Sequence, residues 1–175
     1  DGLHTQLESS PDDQESLNRL IAFYEGEGAI DELMDLYFSQ LDVQTEGRLI
    51  LFTGLANVMR VHLEEIENAR EVILTGLQEF PNSIELLKQL DLLSTSEETK
   101  AEYISVLKAA ALESDQPSLH ALLNSHLNHL DGDEFATYVQ TLSKTALESE
   151  DAEYLMVLLE QMDTRGETEA NIYLC

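Results

Sequence analysis

The sequence predicts an all-α protein in which antiparallel helical hairpins stack into a right-handed α-α superhelix. Apolar residues recur at steps of three and four, and no stretch alternates polar and apolar residues over the length of a strand. The 3 prolines each stand where a helix is expected to begin. Small or apolar residues also recur about every 34 residues, which indicates a repeated helical hairpin.

Short segments with the signals of helix N-termini divide the chain. Ser10 before Pro11 is predicted to cap a helix, and similar starts occur at 81–85 and 115–118. Thr95 and Glu98 have the spacing of a capping box. The links between helices are short, so consecutive helices are expected to pack antiparallel, and the hairpins must stack to bury their apolar faces. The predicted helices span residues 12–25, 30–42, 48–63, 67–79, 83–93, 97–113, 118–130, 133–148 and 151–163.

The repeat is visible when the second helices of the hairpins are aligned. Steps of 36, 34, 33 and 34 residues separate Leu33, Ala69, Tyr103, Ala136 and Ala170. Counting 13 residues back from each gives only apolar residues of the first helices, namely Leu20, Ala56, Leu90, Leu123 and Val157. Counting 4 residues forward gives one polar exception, Gln140, among Tyr37, Ile73, Leu107, Gln140 and Leu174. Such regularity predicts that these positions form the core of each repeat.

These positions resemble the tetratricopeptide repeat, a helix-turn-helix unit of about 34 residues. The match to the second helix of the family is best at Ala69, Ile73, Gly76 and Pro81. The first helix and turn are matched by Leu20, Tyr24 and Gly28, and Gly132 and Gly166 fall in equivalent turns. The chain departs from the family at Arg60, Ser94 and Gln161, where a tyrosine is preferred, so another α-solenoid of similar pitch is the alternative.

The resemblance implies a single TPR-like domain over residues 1–175, with about four complete hairpins and the start of a fifth. Since Ala170 would lie inside the second helix of that fifth hairpin, we expect the chain to belong to a longer protein. The alternative is that residues 172–174 fold back as a cap. An open C-terminal end would also offer a surface for self-association.

The charge of the chain restricts its partners. Lys and Arg number 9 and Asp and Glu 35, which gives a net charge of −26. This charge repels nucleic acid and anionic lipid and attracts basic partners, although it is also typical of a merely soluble or salt-adapted surface. No apolar run is long enough to cross a membrane, and the single cysteine, Cys175, excludes an internal disulfide. We expect a soluble protein, with a cytoplasmic location favoured and periplasm or secretion left open.

Residue patterns that would indicate catalysis or metal binding are missing from the sequence. It has no Gly-rich phosphate loop, HExxH helix, nucleophile elbow or paired-cysteine motif, so we expect neither an enzyme nor a cofactor. His120, His126 and His129 cluster, but no cysteine or carboxylate array completes a transition-metal site. The acidic run at 131–134 lacks the ligand spacing of a calcium loop. We therefore expect no metal site.

Polar residues that recur at helical spacing on the first helices predict a binding surface. In the tetratricopeptide family the first helices line a concave groove, and side-chain amides can both donate to and accept from a peptide backbone. We therefore predict a module that holds a peptide or helix of another protein, with a basic segment favoured by the charge. The alternatives are solvated helix faces without a ligand, or a spacer or self-association segment of a larger scaffold. The candidate groove residues are Asn18, Thr53, Asn57, Arg60, Glu85, Lys88, Gln89, His120, Asn124 and Asn128.

Isothermal titration calorimetry with zinc or calcium at physiological salt is expected to show no stoichiometric site, because the histidines lack completing ligands and the carboxylates are dispersed. A one-to-one submicromolar isotherm that disappears when His126 and His129 are replaced by alanine would contradict this expectation.

Overall fold

The computed structural model describes residues 2–114 and 116–126, together with the separate positions Val139, Gln140, Ser143 and Met156, which are helical. No residue in these stretches lies in a strand. The predicted helices 133–148 and 151–163, and the fifth repeat around Ala170, fall outside the described residues apart from those positions. The helices are α1 Gly2–Ser9, α2 Gln14–Glu27, α3 Ile30–Val43, α4 Arg48–His62, α5 Ile66–Glu79, α6 Ile84–Leu93, α7 Glu97–Leu112 and α8 Pro117–Ser125.

Seven of these helices confirm the sequence prediction within a few residues, and α1 was not predicted. In α1 only Leu3 and Leu7 stand at helical spacing, and no capping residue marks its start. The helix expected to run to residue 130 ends as α8 at Ser125, where the backbone N–H of His126 bonds to Leu123 and Asn124 carbonyls. The chain divides into two compact units, residues 1–100 and 101–175. The single-domain assignment stays a prediction.

The first unit, residues 1–100, is a series of helices in which each helix packs on the next. Contacts join α1 to α2, α2 to α3, α3 to α4, α4 to α5 and α5 to α6, and α4 also packs on α6. The α4–α6 contact joins the first helices of two successive hairpins. Helices two apart in the chain therefore also pack on each other at this point of the unit, which is compatible with a helical repeat.

The apolar positions aligned in the sequence form the core wherever the structure describes them. No more than 4% of the side chain is exposed at any of Leu20, Leu33, Tyr37, Ala56, Ala69, Ile73, Leu90, Tyr103, Leu107 and Leu123. Gln140, the polar exception in the alignment, is exposed. The period of about 34 residues is therefore the period at which side chains are withdrawn from water.

Two turns between helices share one geometry although they lie 70 residues apart. The Asp13 N–H donates to the Ser10 carbonyl at 3.1 Å, and the Ser83 N–H donates to the Phe80 carbonyl at 3.0 Å. In each case the last residue of the turn is the N-cap, and its side chain accepts from the helix backbone. The predicted cap at Ser10 was wrong, because Pro11 lies in the turn and Asp13 is the capping residue.

The capping box before α7 is also displaced by one residue from its predicted place. The Thr99 N–H donates to the Ser96 hydroxyl at 3.2 Å, and the Ser96 N–H donates to the Thr99 hydroxyl at 3.0 Å. Ser96 and Thr99 thus satisfy each other's backbone donors, in place of Thr95 and Glu98.

The turns inside the first two hairpins also repeat. Gly28 has a φ of 67° and Glu64 a φ of 56°, both in the left-handed region, and the two residues are 36 positions apart. Each is followed by an N-cap of nearly equal conformation, Ala29 at φ −82° and ψ 71° and Glu65 at φ −87° and ψ 69°. A left-handed residue directly before an N-cap of this conformation therefore occurs once with glycine and once without it.

Hydrogen bonds between residues one period apart tie the turn at 10–13 to the turn at 44–47. The Asp12 carboxylate accepts from the N–H groups of Thr45 and Glu46 at 3.0 and 3.2 Å. The Gln44 side-chain amide donates to the Pro11 carbonyl at 2.8 Å. The backbone N–H groups of Glu46 and Thr45 hold the pKa of Asp12 below its usual value of 3.8, because they stabilise the ionised carboxylate.

Arg48, the first residue of α4, links the ends of two other helices. Its Nε donates to both carboxylate oxygens of Glu79 near the end of α5, at 2.7 and 2.9 Å. Its Nη1 donates to the carbonyls of Leu41 and Gln44 at the end of α3. A positive charge at a helix C-terminus complements the partial negative charge of the exposed carbonyls.

Glycine at position 54 allows α3 and α4 to approach closely. A Cβ on Gly54 would lie 2.6 Å from Cζ and 2.7 Å from Cε1 of the Tyr37 ring. Burial, together with the charge of Glu25, raises the pKa of Tyr37 to about 12. The phenol therefore fills a space that only glycine leaves open on α4.

Replacing Gly54 with alanine is expected to destabilise the protein, and replacing Gly26 is expected to stabilise it. The new methyl at position 54 overpacks against Tyr37, at a cost of about 1–3 kcal/mol that exceeds the gain in helix propensity. Gly26 lies in α2, and a Cβ at this position would meet no neighbouring group within 4 Å. Alanine there should therefore raise the free energy of unfolding by about 0.5–1 kcal/mol. Urea unfolding followed by circular dichroism measures both, and equal effects would contradict the close approach.

The Asp12→Asn variant is expected to melt at a lower temperature than the wild type at neutral pH. Because the pKa of Asp12 is depressed in the folded state, its stabilisation is complete above the usual carboxyl pKa and is lost as the pH falls through the folded value. Melting curves of the two proteins should therefore converge in acid below the usual pKa of 3.8. Asp42→Asn removes the same charge from the exposed side of α3 and is the control. A difference that persists in strong acid would contradict this role.

Candidate functional site

The exposed side of α4 combines polar and apolar side chains. Ile50, Asn57, Arg60 and Val61 are exposed and Thr53 is half-buried, at the spacing of one helix face. Arg60 Nη2 donates to the side-chain oxygen Oδ1 of Asn57 at 2.9 Å, so the side-chain amide orients the guanidinium. The opposite side of α4 is buried in the core.

The neighbouring helix α6 continues this surface. Glu85, Lys88 and Leu92 are exposed and Gln89 is half-buried, again on one face. The Gln89 side-chain amide donates to the Thr53 carbonyl at 3.4 Å, across the contact between α4 and α6. We call the combined area the α4–α6 surface, and it consists of Ile50, Thr53, Asn57, Arg60, Val61, Glu85, Lys88, Gln89 and Leu92.

The structure brings six of the ten predicted groove residues onto this surface, and the other four lie elsewhere. Asn18 is exposed on α2. His120 on α8 is only 6% exposed, so its side chain is part of the interior and not of an open stripe. Asn124 on the same helix is half-buried. Asn128 lies outside the described residues, as do His129 and the acidic run at 131–134.

In the second unit, His126 packs against an aromatic ring. The His126 ring meets the Tyr103 ring edge to face, with 5.1 Å between the ring centroids.

Among the residues that the structure describes, no three His, Cys, Asp or Glu side chains are grouped as a metal site would require. Nor does that part of the chain contain a helix both long and apolar enough to cross a membrane.

Three apolar members of the α4–α6 surface were missed by the sequence interpretation. Ile50 is 52% exposed, Val61 50% and Leu92 68%. The sequence does contain a signal that these apolar side chains are exposed. Helix α4 is apolar on nearly every side, and a helix with one buried face does not need so many apolar residues. These side chains add an apolar component to a surface that was predicted as purely polar.

The local charge of the α4–α6 surface differs from that of the whole chain. Its members include two cations, Arg60 and Lys88, and one carboxylate, Glu85, although acidic residues outnumber basic ones by 35 to 9 in the sequence. The surface therefore offers donors, acceptors and apolar area together, with little net charge. Such a mixture is typical of protein-binding surfaces, in which apolar contacts supply affinity and polar groups supply register.

Neither a protein-family model nor a curated protein matches this chain.

Proposed function

We propose that this protein is a non-enzymatic interaction module, a TPR-like helical solenoid that presents the α4–α6 surface to a peptide or helix of a partner protein. The observation that carries the proposal is the joining of two exposed helix faces by the Gln89 to Thr53 hydrogen bond. Both faces belong to first helices of hairpins, the helices that line the groove in the family the sequence resembles.

Affinity for a ligand would come from the apolar side chains that are left in water. Ile50, Val61 and Leu92 each expose half or more of their surface. Burying apolar area stabilises a complex by about 25 cal/mol per Å² before the costs of association. Ile50 and Val61 lie on one face of α4, and Leu92 lies on the neighbouring face of α6. A single ligand can therefore cover all three side chains.

Directional contacts would come from the amides and the two cations. Asn57 and Gln89 can donate and accept, which suits the backbone of a peptide or the exposed end of a helix. Arg60 is held by Asn57 at 2.9 Å, so part of the entropy cost of ordering its side chain is already met before binding. Lys88 supplies a second donor on α6.

The competing function is a spacer or self-association segment of a larger scaffold. A spacer requires no ligand for the α4–α6 surface, and a self-associating chain would cover its exposed apolar residues with a second copy. The two functions are therefore separated by whether the isolated protein selects a peptide and whether it dimerises.

Peptides selected from a random phage-displayed library on the immobilised protein are expected to bind the α4–α6 surface. The double variant Asn57→Ala with Lys88→Ala should weaken their affinity about tenfold or more, since each lost hydrogen bond of a buried group costs about 1–3 kcal/mol. Fluorescence anisotropy of labelled peptides gives the dissociation constants.

The matched control is Asn68→Ala with Lys100→Ala, which removes the same two residue types outside the surface. It should leave the affinity within about twofold, and circular dichroism should show unchanged helicity in both variants. If no peptide is selected, or if both double variants bind equally well, the proposed function is wrong. Dimerisation in sedimentation velocity would then favour the self-association segment.

A further inference from the structure

A concave feature of the first unit is lined by residues that do not belong to the α4–α6 surface. A groove of about 610 Å³ is formed by α3 together with α1 and α2, a volume within the range of known ligand sites, roughly 300–1,000 Å³. We call it the α1–α3 groove. Along α3 its wall consists of Glu32, Asp35, Leu36, Ser39, Gln40 and Val43. At 1.5 Å per residue this stretch of α3 is about 16 Å long.

The groove combines an apolar floor with an acidic rim. Leu7 of α1 and Leu36 of α3 line it and are buried, at 3% and 5% exposure. Three carboxylates also line it, Glu8 from α1 and Glu32 and Asp35 from α3, and no Lys or Arg does. Its charge is therefore uniformly negative, in contrast to the mixed charge of the α4–α6 surface.

A chain of glutamine side chains leaves one amide donor in the groove. Because the Pro11 carbonyl can only accept, Gln44 must direct its amide nitrogen to it, at 2.8 Å. The Gln44 oxygen then accepts from Gln14 at 3.3 Å, and the Gln44 nitrogen also donates to the Gln40 oxygen at 3.1 Å. The orientation of each amide in the chain follows from that one carbonyl.

Gln40 stands at the end of this chain. Its side chain is 7% exposed and lines the groove. Within the described residues its amide nitrogen donates no hydrogen bond, while its oxygen is already engaged by Gln44. Solvent reaches this nitrogen through the groove, so the carbonyl oxygen of a ligand can replace water as its acceptor.

One wall of the groove is already fixed in place. The His4 ring nitrogen Nε2 and the Tyr24 hydroxyl are 2.6 Å apart, which links α1 to α2 beside the groove. The planes of the two rings are inclined to each other by 54°, and their centroids are 5.9 Å apart. A preformed wall lowers the entropy cost of binding a flexible segment.

We propose that the α1–α3 groove binds a short basic segment of a partner protein. Lysine or arginine side chains pair with Glu8, Glu32 and Asp35, their aliphatic stems and an interposed apolar residue cover Leu7 and Leu36, and a backbone carbonyl accepts from Gln40. Long basic side chains suit this arrangement, because they bury their stems and keep the charged group at the rim. About five residues of extended chain span the length of the α3 wall. The proposal does not depend on the proposed function of the α4–α6 surface.

The probe for this site is a fluorescein-labelled peptide of sequence Lys-Leu-Lys-Leu-Lys, capped at both ends, with Glu-Leu-Glu-Leu-Glu as the opposite-charge comparison. The wild-type protein is expected to bind the lysine peptide in an anisotropy titration at physiological salt, and to bind the glutamate peptide at least a hundredfold more weakly. No binding of the lysine peptide at millimolar protein would overturn the proposal.

The decisive comparison uses two double variants of the same helix. Glu32→Gln with Asp35→Asn removes two charges from the groove, and Asp31→Asn with Asp42→Asn removes two charges from α3 outside it. The first should weaken the lysine peptide about tenfold or more and the second less than about threefold, because screening at physiological salt limits the contribution of distant charges. Equal weakening by both would mean that only the overall charge attracts the peptide, which overturns the site.

Nuclear magnetic resonance locates the peptide independently. On addition of the lysine peptide, the side-chain amide signals of Gln40 should shift more than those of Asn57 and Gln89. The Asn57→Ala with Lys88→Ala variant should bind this peptide like the wild type, so a failure of the groove and a failure of the α4–α6 surface are told apart. Shifts confined to the α4–α6 surface, or a dimer that the groove variant dissociates, would overturn the proposal.

Discussion

The arrangement of the helices in the first unit depends on the contacts that the Arg48 side chain makes. It begins α4, yet its side chain reaches the last carbonyls of α3 and the carboxylate of Glu79 near the end of α5. Its guanidinium also lies 5.6 Å from the centre of the Phe52 ring, which adds a cation–π attraction. With Asp12 binding the turn at 44–47 from the other side, the start of α4 is fixed relative to three other segments. The α4–α6 surface inherits its position from this junction, because α4 carries more than half of it.

Charge is distributed unevenly over the first unit. The chain has a net charge of −26, but Arg48 lies at a junction of helices, and Arg60 and Lys88 lie on the α4–α6 surface. The α1–α3 groove, by contrast, is lined by carboxylates alone among charged residues. The two surfaces therefore differ in electrostatic character, since the α4–α6 surface carries both signs of charge and the α1–α3 groove only negative charge.

The sequence was most informative where one physical rule dominates. Burial at a fixed period predicted the core, since Leu33, Ala69 and Tyr103 stand in register and are all withdrawn from water. Local signals, such as a glycine in a turn or a capping residue at the start of a helix, predicted the structure less well. The left-handed turn at Glu64 has no glycine to mark it, and the helix caps at Asp13 and Ser96 lie beside equally good candidates in the sequence. The α1–α3 groove depends on a short helix with few apolar residues and on side chains 30 positions apart, so no local pattern could predict it. Likewise, the exposure of Ile50 and Leu92 is decided by which neighbours are present, which a single helix does not reveal.

The contact between Tyr37 and Gly54 gives the protein an internal spectroscopic reporter. The chain contains no tryptophan, so its near-ultraviolet signal comes mainly from tyrosine. Tyr37 is held against α4, and its pKa is raised to about 12, whereas an unperturbed phenol ionises near pH 10. In a pH jump to a value between the two, free phenols ionise at once, while Tyr37 ionises only when α3 separates from α4. The part of the delayed phenolate absorbance that a Tyr37→Phe variant loses would therefore record the opening of this one helix pair in real time, without any added label.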